Sequence, residues 1–331
     1  MSEAGSGSPT ATPAAIAAAV AVAARRLAGQ VVYTPTVPCA RLAAAAGREV
    51  RLKLENVQTT GSFKLRGATN ALLAMPAATR AAGVVAASSG NHGLALATAA
   101  ARLGVPATVF VPTTTPAAKR EAIAAAGGRV EVFGDDCVRT EQRARDVAAA
   151  TARAYVSPYN DADVIAGQGT VAVELLAQWP ELQTVYVALG GGGLISGMAA
   201  YLEAVRPEVE VVACSPSRSP AMASCVRAGH IHDVPCGETL SDSTAGGVEP
   251  GAITFPLCRD LVDRFVEVDE AAIAAAVLGL LRHEHLLVEG AAGVAIAGCL
   301  ADAAGAERRS AIVVCGANLP LVTLRSLLAR A

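Results

Sequence analysis

The 331-residue sequence predicts an α/β protein with two open, mostly parallel, twisted sheets and helices on their faces. Short apolar runs alternate with longer helical patterns along most of the chain, which is the order of parallel strands joined by helical crossovers. Aromatic residues make up only 3% while alanine is abundant, a composition that suits helices packed closely on sheets. Ligands of such sheets gather at the carboxyl ends of the strands, so we expect functional residues in the loops that follow them.

The individual elements follow from local patterns of apolar, glycine and proline residues. Strands are predicted at 50–54, 83–87, 106–112, 129–133, 184–189, 209–214 and 311–315. Helices are predicted at 14–27, 65–74, 94–103, 116–126, 139–154, 165–176, 194–204, 270–284 and 290–300. The alternation runs through both halves of the chain, so we expect two α/β layers that face a shared cleft.

Charge and cysteine usage exclude several classes of protein. The net charge is -2 and the pI is near 6.2, which argues against a nucleic-acid partner. No uninterrupted apolar run reaches membrane-spanning length, and the first residues lack a basic start before an apolar core, so we expect a cytoplasmic protein. The eight cysteines form no C-x-x-C pair and no Cys/His cluster with zinc spacing, so we expect no metal site and a reducing compartment.

Lys64 lies where a loop becomes the first turn of a helix, next to Phe63. A helix N-terminus carries partial positive charge, which biases an amine towards the neutral, nucleophilic form that makes Schiff bases. The alternative is a surface lysine whose stem packs on the helix, and for an isolated lysine that would be the default.

Four glycines, residues 190–193, connect a predicted strand to a predicted helix. Without side chains, their N–H groups can close on phosphate oxygens, helped by the helix N-terminus. The Walker pattern and the G-x-G-x-x-G spacing are both absent, so a single phosphate is favoured over a nucleotide. The alternative is a plain glycine turn.

The polar loop 88–92 also connects a strand to a helix, and its hydroxyls, carboxamide and N–H groups suit a substrate carboxylate. The alternative is an ordinary helix cap. Cys315 ends a buried strand and could offer its sulfur to a heterocycle nitrogen, although a buried structural cysteine is the more frequent case. A lysine at a helix start, a cradle for one phosphate and a carboxylate-binding loop together predict pyridoxal 5'-phosphate as the cofactor.

The order of these segments resembles the serine/threonine dehydratase family, which belongs to the tryptophan-synthase-β-like (fold type II) pyridoxal-phosphate enzymes and includes serine racemase. The resemblance runs from about residue 42 to the end, and it rests on the segments 62–67, 88–92, 164–170, 190–194 and 315–318. It implies an active site in the cleft between two domains. The predicted division is a disordered tail at 1–13, a large cofactor-binding domain at 14–83 and 160–331, and a small domain at 84–159. The family also implies a homodimer.

The resemblance implies roles for individual residues. Lys64 would form the Schiff base and move the substrate proton, and Ser89 would be the acid or base on the opposite face. Cys315 would replace the usual serine beside the pyridine nitrogen, where a neutral partner makes the ring a weaker electron sink. The expected cofactor-binding residues are Phe63, Lys64, Asn91, Gly190, Gly191, Gly192, Gly193, Leu194 and Cys315. The expected substrate-binding residues are Ser88, Ser89, Gly90, Asn91 and His92.

Three departures from the family pattern bear on the activity. Ser215 stands where racemases and many dehydratases carry a glutamate that helps hold a divalent cation, so no metal is expected. Ser243 stands where a glycine is usual, and together with Ser215 it resembles a subgroup linked to hydroxyectoine utilisation. No regulatory domain follows Ala331, so we expect no feedback control of the kind found in long threonine deaminases.

These observations predict a dehydratase (ammonia-lyase) that removes water and ammonia from a β-hydroxy-amino acid of the L-threonine or L-serine type. The alternatives are a dehydratase for hydroxyectoine or another hydroxylated amino acid, an amino-acid racemase, and a non-catalytic amino-acid sensor that binds pyridoxal phosphate. The missing metal carboxylate disfavours the racemase. The presence of both Lys64 and Ser89 disfavours the sensor.

Overall fold

A computed structural model describes residues 11–305 and 307–329 of the chain. Its strands form two separate sheets. The strands are β1 (Thr36–Pro38), β2 (Val50–Leu54), β3 (Val84–Ala87), β4 (Ala107–Val111), β5 (Arg129–Val132), β6 (Ala154–Tyr155), β7 (Thr184–Ala188), β8 (Glu210–Pro216), β9 (Arg264–Val268) and β10 (Ser310–Val314).

The larger sheet has the order β1-β2-β10-β7-β8-β9, and every neighbouring pair is parallel except β1 with β2. The smaller sheet has the order β5-β4-β3-β6 and is parallel throughout. The last strand, β10, therefore lies between two strands that precede it by more than a hundred residues. Two mostly parallel sheets with flanking helices confirm the predicted fold class.

Fourteen α-helices among the described residues cover the sheets. They are α1 (Pro13–Arg26), α2 (Ala40–Ala46), α3 (Lys64–Ala74), α4 (Ala77–Ala82), α5 (Asn91–Leu103), α6 (Ala117–Ala125), α7 (Cys137–Ala150), α8 (Ala162–Gln178), α9 (Gly193–Val205), α10 (Ala221–Ala228), α11 (Thr254–Leu261), α12 (Glu270–Gly279), α13 (Gly290–Ala301) and α14 (Leu321–Leu328). In the described part of the chain, none of them is long and apolar enough to cross a membrane.

Two predicted helices are too long. The helix expected over 139–154 ends at Ala150, because Ala152 adopts a left-handed φ of 51° and Ala154 then pairs with Val84 in the smaller sheet. The α-helix expected over 270–284 ends at Gly279 and continues as a π-helical turn, Leu280–Glu284. Pairing with a distant strand overrides the helical pattern in the first case, since local propensity is a weak determinant beside tertiary contacts.

The helix that begins with Lys64 lies where the two sheet layers meet. Leu65 and Leu72 are fully buried in a core cluster that also contains Val84 of the smaller sheet. On the other side of α3, the N–H of Gly67 donates to Oε1 of Gln168 on α8 at 3.0 Å. This placement brings Lys64 to the boundary between the layers.

The predicted tail and the predicted small domain both overlap residues that the structure describes. Of the predicted tail 1–13, residues 1–10 lie outside the described residues, and Pro13 already opens α1 with Thr12 as its N-cap. The smaller sheet spans residues 84–155, while the domain division itself, the homodimer and the cytoplasmic location stay predictions. All eight cysteines are free, six of them buried.

Candidate active site

The predicted site residues follow the carboxyl ends of strands from both sheets. Lys64 comes after β2, Ser88 after β3, Gly190 after β7, and Cys315 directly after β10. Because the strands within each sheet are parallel, these ends share an edge, and the two edges meet where α3 joins the layers. The structure thus brings together loops that are far apart in the sequence. Lys64 and Cys315, for example, are separated by 251 positions.

Lys64 is the first residue of α3, and its amine is enclosed by several site elements. Its Nζ donates to the carbonyl oxygen of Pro158 at 2.8 Å and lies 5.2 Å from the centroid of the Phe63 ring. Burial lowers the pKa of this amine to about 8, although the nearby Cys315 and Glu289 act in the opposite direction. A larger fraction of Lys64 is therefore neutral at physiological pH than of an ordinary lysine, as a nucleophile or base requires.

The chain contains only three lysines, which makes the assignment of the reactive one direct. Lys53 is fully buried and its Nζ lies 2.7 Å from Oε2 of Glu174, so its charge is paired within the core. Lys119 lies on the surface of α6, 3.3 Å from Asp242. Lys64 is the lysine whose amine faces the loops gathered at the strand ends.

Cys315 lies beside the lysine and is buried. Its carbonyl oxygen accepts the N–H of Phe63 at 3.1 Å, which ties the end of β10 to the start of the lysine turn. Burial, reinforced by the nearby Glu289, raises the pKa of the Cys315 thiol well above its usual range. The sulfur is therefore a neutral thiol, a weak donor rather than a thiolate.

A closed hydrogen-bond network fixes the side chain of Asn91. Its Nδ2 donates to both oxygens of Glu289, at 2.9 and 3.0 Å, and its Oδ1 accepts from Nδ2 of Asn318 at 2.6 Å. Asn318 is itself held, since its Nδ2 also donates to the carbonyl of Thr60 at 2.9 Å. The Asn91 carboxamide consequently has a single orientation in the site.

Sequence reasoning missed Glu289, the carboxylate at the centre of this network. It is 3% exposed, and within residues 11–305 and 307–329 its carboxylate accepts only from neutral donors, which besides Asn91 are Ser243 Oγ at 3.2 Å and the backbone N–H of Asn318 at 3.2 Å. Burial raises the pKa of Glu289, and its hydrogen bonds offset only part of that shift. The available signal was a single charged residue in the apolar run 286–292, directly before the α13 helix.

The glycine loop 190–193 is shaped so that side chains cannot enter it. A Cβ at Gly191 would lie 2.5 Å from the Tyr159 ring, and one at Gly190 would lie 2.9 Å from Cα of Thr244. Gly192 adopts a left-handed φ of 87°, which strains any residue with a side chain. In the described part of the chain, the glycine N–H groups have no protein acceptor outside regular helix and strand bonding, so this loop can cradle an anion at the start of α9.

The loop before α5 is not an ordinary helix cap. Gly90 is the N-cap residue and no side chain caps the first turn. Ser88 Oγ instead accepts the N–H of Gly90 at 3.2 Å, while Ser89 is only half-buried. The first-turn N–H groups are left available for an anion such as a carboxylate.

A buried ion cluster of Arg66, Glu55 and Glu174 holds the first turn of α3, which bears Lys64, in place. Two residues after Lys64, Arg66 places its fully buried guanidinium 2.8 Å from Glu55 and 2.7 Å from Glu174. Burial alone would raise the pKa of Glu55, and the Arg66 charge outweighs it, so this pKa lies below its usual range. The first turn of α3 is thereby tied to the short helical turn Glu55–Val57, which directly follows β2, and to α8.

Ser215 occupies the position at which the family pattern has a glutamate that helps hold a cation. Ser215 lies on β8 and is 2% exposed. Among residues 11–305 and 307–329, no three His, Cys, Asp or Glu side chains are grouped so that they could share a metal ion.

The chain is similar in sequence and in structure to known proteins. Residues 27–316 match the family model described as "Pyridoxal-phosphate dependent enzyme". The chain is 38% identical over 278 residues to an L-threonine ammonia-lyase of Thermotoga maritima, covering 84% of this chain and 69% of that protein. It is 34% identical over 306 residues to a serine racemase of Oryza sativa, covering 90% and 89%. The structure of maize serine racemase superposes with a TM-score of 0.89 at 33% identity, covering 95% of this chain and 96% of that one.

Proposed function

The chain belongs to the family of pyridoxal-phosphate dependent enzymes, and on this basis we propose that it removes water and ammonia from a β-hydroxy-amino acid of the L-threonine or L-serine type. The similarity to threonine ammonia-lyases and dehydratases supports its being a pyridoxal-phosphate dependent lyase. Our proposal concerns the side chain of the substrate.

The observation that carries the proposal is the environment of Lys64. Its amine has a pKa lowered to about 8 and lies beside a neutral thiol, with a backbone carbonyl as its acceptor. A neutral group opposite a heterocycle nitrogen stabilises a carbanion less than a carboxylate would. A less stabilised carbanion is short-lived, which favours rapid loss of a leaving group from Cβ over reprotonation of Cα.

The residues fit the cofactor on two independent features. The glycine loop excludes side chains and offers N–H groups without protein acceptors, as a phosphate requires, and Lys64 is the one lysine available for a covalent bond to the aldehyde. We infer that Gly190–Leu194 hold the phosphate, that Asn91 holds the 3-hydroxyl and that Cys315 lies beside the pyridine nitrogen. When bound, pyridoxal phosphate supplies an electron sink for negative charge at the substrate Cα.

The chain's own residues then perform the binding and proton transfers. The loop Ser88–His92 binds the substrate carboxylate at the uncapped start of α5. Lys64 takes the proton from Cα, so that the C–H bond breaks and an N–H bond forms. The electron pair left at Cα forms the Cα=Cβ double bond as the C–O bond at Cβ breaks, and the leaving hydroxyl takes up one proton to depart as water, which balances the proton that Lys64 received. The resulting enamine leaves and hydrolyses to a 2-oxo acid and ammonia.

A substrate panel tests this proposal. The purified enzyme is incubated with L-threonine, L-serine and hydroxyectoine separately, and ammonia and 2-oxo acid are quantified together with the visible absorbance of the bound cofactor. We expect L-threonine or L-serine to change the absorbance and to yield both products in equal amounts. Product from hydroxyectoine alone would overturn the substrate assignment, and no product from any of the three would overturn this substrate class.

The network around Asn91 yields a prediction on cofactor binding. In a Glu289→Gln variant one side-chain oxygen becomes an N–H₂ group, which cannot accept from Asn91 or Ser243, so the orientation of the Asn91 carboxamide is lost. Because hydrogen bonds to a charged group contribute about 1.5–3 kcal/mol, we expect pyridoxal phosphate to bind at least about tenfold more weakly. Titration of cofactor-free protein, followed by cofactor absorbance, measures this. Glu267→Gln, which changes a surface carboxylate paired with Arg227, is the matched control.

Two features favour a second candidate, a dehydratase for hydroxyectoine or a related hydroxylated amino acid. Ser243 adds a hydroxyl to the network around Asn91, where it donates to Glu289 at 3.2 Å. Thr244, the next residue, contacts Gly190 of the glycine loop. The loop that bears Ser243 therefore borders the cofactor cradle, where it can influence which substrate side chain fits.

The similarity to serine racemases supports a third candidate, in which the enzyme returns a proton to the opposite face of Cα. Ser89 would donate that proton. Chiral analysis of amino acid recovered from incubations with L-serine distinguishes this activity from elimination. Accumulation of D-serine faster than pyruvate would favour the racemase.

A further inference from the structure

The segment 157–160, which follows β6, contacts several parts of the candidate site. The Pro158 carbonyl accepts the Lys64 amine at 2.8 Å, and the Tyr159 ring packs against Gly191 of the glycine loop. Asn160 Oδ1 accepts the N–H of Ile253, the residue before α11, at 2.9 Å. The position of this segment therefore determines what surrounds the lysine.

His92 holds the start of this segment from the neighbouring helix α5. Its ring is 2% exposed, and Nε2 lies 2.9 Å from the carbonyl oxygen of Val156. A carbonyl oxygen can only accept, so Nε2 carries the proton and Nδ1 is unprotonated. Among the described residues, Nδ1 has no hydrogen-bond partner. Burial and the Lys64 charge lower the pKa of His92 to about 3, so at neutral pH the ring is a neutral donor and cannot serve as an acid.

The direction of the Pro158 carbonyl depends on few contacts. Val156 is held at its N–H by Val85 at 2.8 Å and at its carbonyl by His92. Ser157 Oγ accepts the N–H of Asn160 at 3.0 Å and so closes the turn from the other side. Pro158 has no N–H and a fixed φ, which restricts the turn further. Loss of the hydrogen bond from His92 to Val156 therefore frees the beginning of the segment 157–160, while the Ser157–Asn160 bond remains.

A base that works in an enclosed site needs an acceptor for the cation it becomes. Charged amines are costly to bury unless they are hydrogen-bonded. Among the described residues, the Pro158 carbonyl is the hydrogen-bond acceptor of Lys64 Nζ. The other titratable groups that affect the amine are Cys315, Glu289 and His92 itself. Of these, Cys315 and His92 are neutral.

We propose that His92 is a positioning residue, whose Nε2–H bond to Val156 holds the Pro158 carbonyl where it receives the Lys64 amine after that amine has taken the substrate proton. The proposal rests on the proposed function, since it assigns the base role to Lys64. The side chain of His92 thus acts on Lys64 indirectly, through Val156 and Pro158. Its backbone can in addition contact a substrate carboxylate.

The test measures proton uptake by Lys64 in the cofactor-free enzyme. Acetic anhydride acylates only neutral amines, and quantitative peptide mass spectrometry across a pH series gives a midpoint for Lys64, with Lys119 as the internal reference. The wild-type midpoint for Lys64 is expected at about 8. In His92→Leu we expect it to fall by about one pH unit, because the charged amine loses its acceptor. The acylation of Lys119 should be the same in the variant and in the wild type.

Conservative replacement separates positioning from simple packing. In His92→Gln a side-chain amide N–H can take the place of Nε2–H, so we expect a midpoint within about 0.3 unit of the wild type. Ser157→Ala loosens the same turn from its other end without changing the His92 site, and it should shift the midpoint in the same direction as His92→Leu. This variant provides the measurement should His92→Leu fail to fold.

A folded His92→Leu with an unchanged Lys64 midpoint would overturn the proposal, as would a His92→Gln that shifts as far as His92→Leu. Should His92→Leu not fold, an unchanged midpoint in Ser157→Ala would do the same. Acylation is measured without cofactor or substrate. An enzyme that released no ammonia from any substrate would therefore contradict the proposed function and leave this measurement interpretable.

Discussion

A Lys64→Ala variant is expected to lose at least about a thousandfold in ammonia release and to lose the visible absorbance of covalently bound cofactor. The chain has two other lysines, and neither can substitute, because Lys53 is paired with Glu174 in the core and Lys119 lies on α6 at the surface. Hydride reduction of the wild-type enzyme, followed by peptide mapping, should place the cofactor on residue 64 alone.

Lys119→Ala is the matched control for this variant, and it should retain both absorbance and most of the activity. Thermal unfolding of the cofactor-free proteins checks that Lys64→Ala folds. Ammonia release within tenfold of the wild type would show that Lys64 is not the reacting amine. Cofactor found on residue 53 or 119 would show the same.

Arg66→Met is expected to reduce the free energy of unfolding by about 3–5 kcal/mol, because it leaves the buried carboxylate of Glu55 without its cation. Denaturant titration of the cofactor-free protein measures this change. Arg51→Met removes a pair with Glu49 at the surface, where the two side chains are 29% and 45% exposed, and should cost less than about 1 kcal/mol. Similar losses in the two variants would contradict the role of the buried pair.

The same variant has a pH dependence whose sign follows from the pKa of Glu55. In the wild type this pKa is lowered, so the pair stabilises the fold above the ordinary carboxyl pKa and the contribution is lost as pH falls through the lowered value. In Arg66→Met burial acts without the opposing charge and raises the pKa, so the folded variant gains relative stability as the carboxyl becomes protonated. The difference between the two proteins should begin to narrow as pH falls through the raised pKa of Glu55 in the variant, and it should continue to narrow down to the lowered pKa of Glu55 in the wild type.

Local signals were sufficient to predict much of the fold and of the candidate site. Three of these features are each encoded within about ten consecutive residues: the strand before Lys64, the glycine loop at 190–193 and the polar loop at 88–92. The order of strands and helices then predicts parallel sheets, because crossover connections are right-handed and ligands collect at strand ends. These features depend on the neighbours of each residue in the chain.

Features that depend on distant partners were not predicted. Glu289 matters because Asn91, Ser243 and Asn318 converge on it, and no local pattern encodes those contacts. From the sequence, His92 is expected only as part of the substrate-binding loop, and its hydrogen bond to the carbonyl oxygen of Val156 is not predicted. The short strand β6 was hidden within a helical pattern, since only its pairing with β3 makes it a strand.

The position of β10 has a consequence for synthesis of the protein. This strand holds residues 310–314 and inserts between β2 and β7, so a growing chain on the ribosome has two unpaired inner strand edges until residues 310–314 emerge. Exposed edges of this kind invite association with other chains, and sheets closed by distant segments form slowly. Truncation within the last strand would leave an aggregation-prone chain in place of a shortened enzyme.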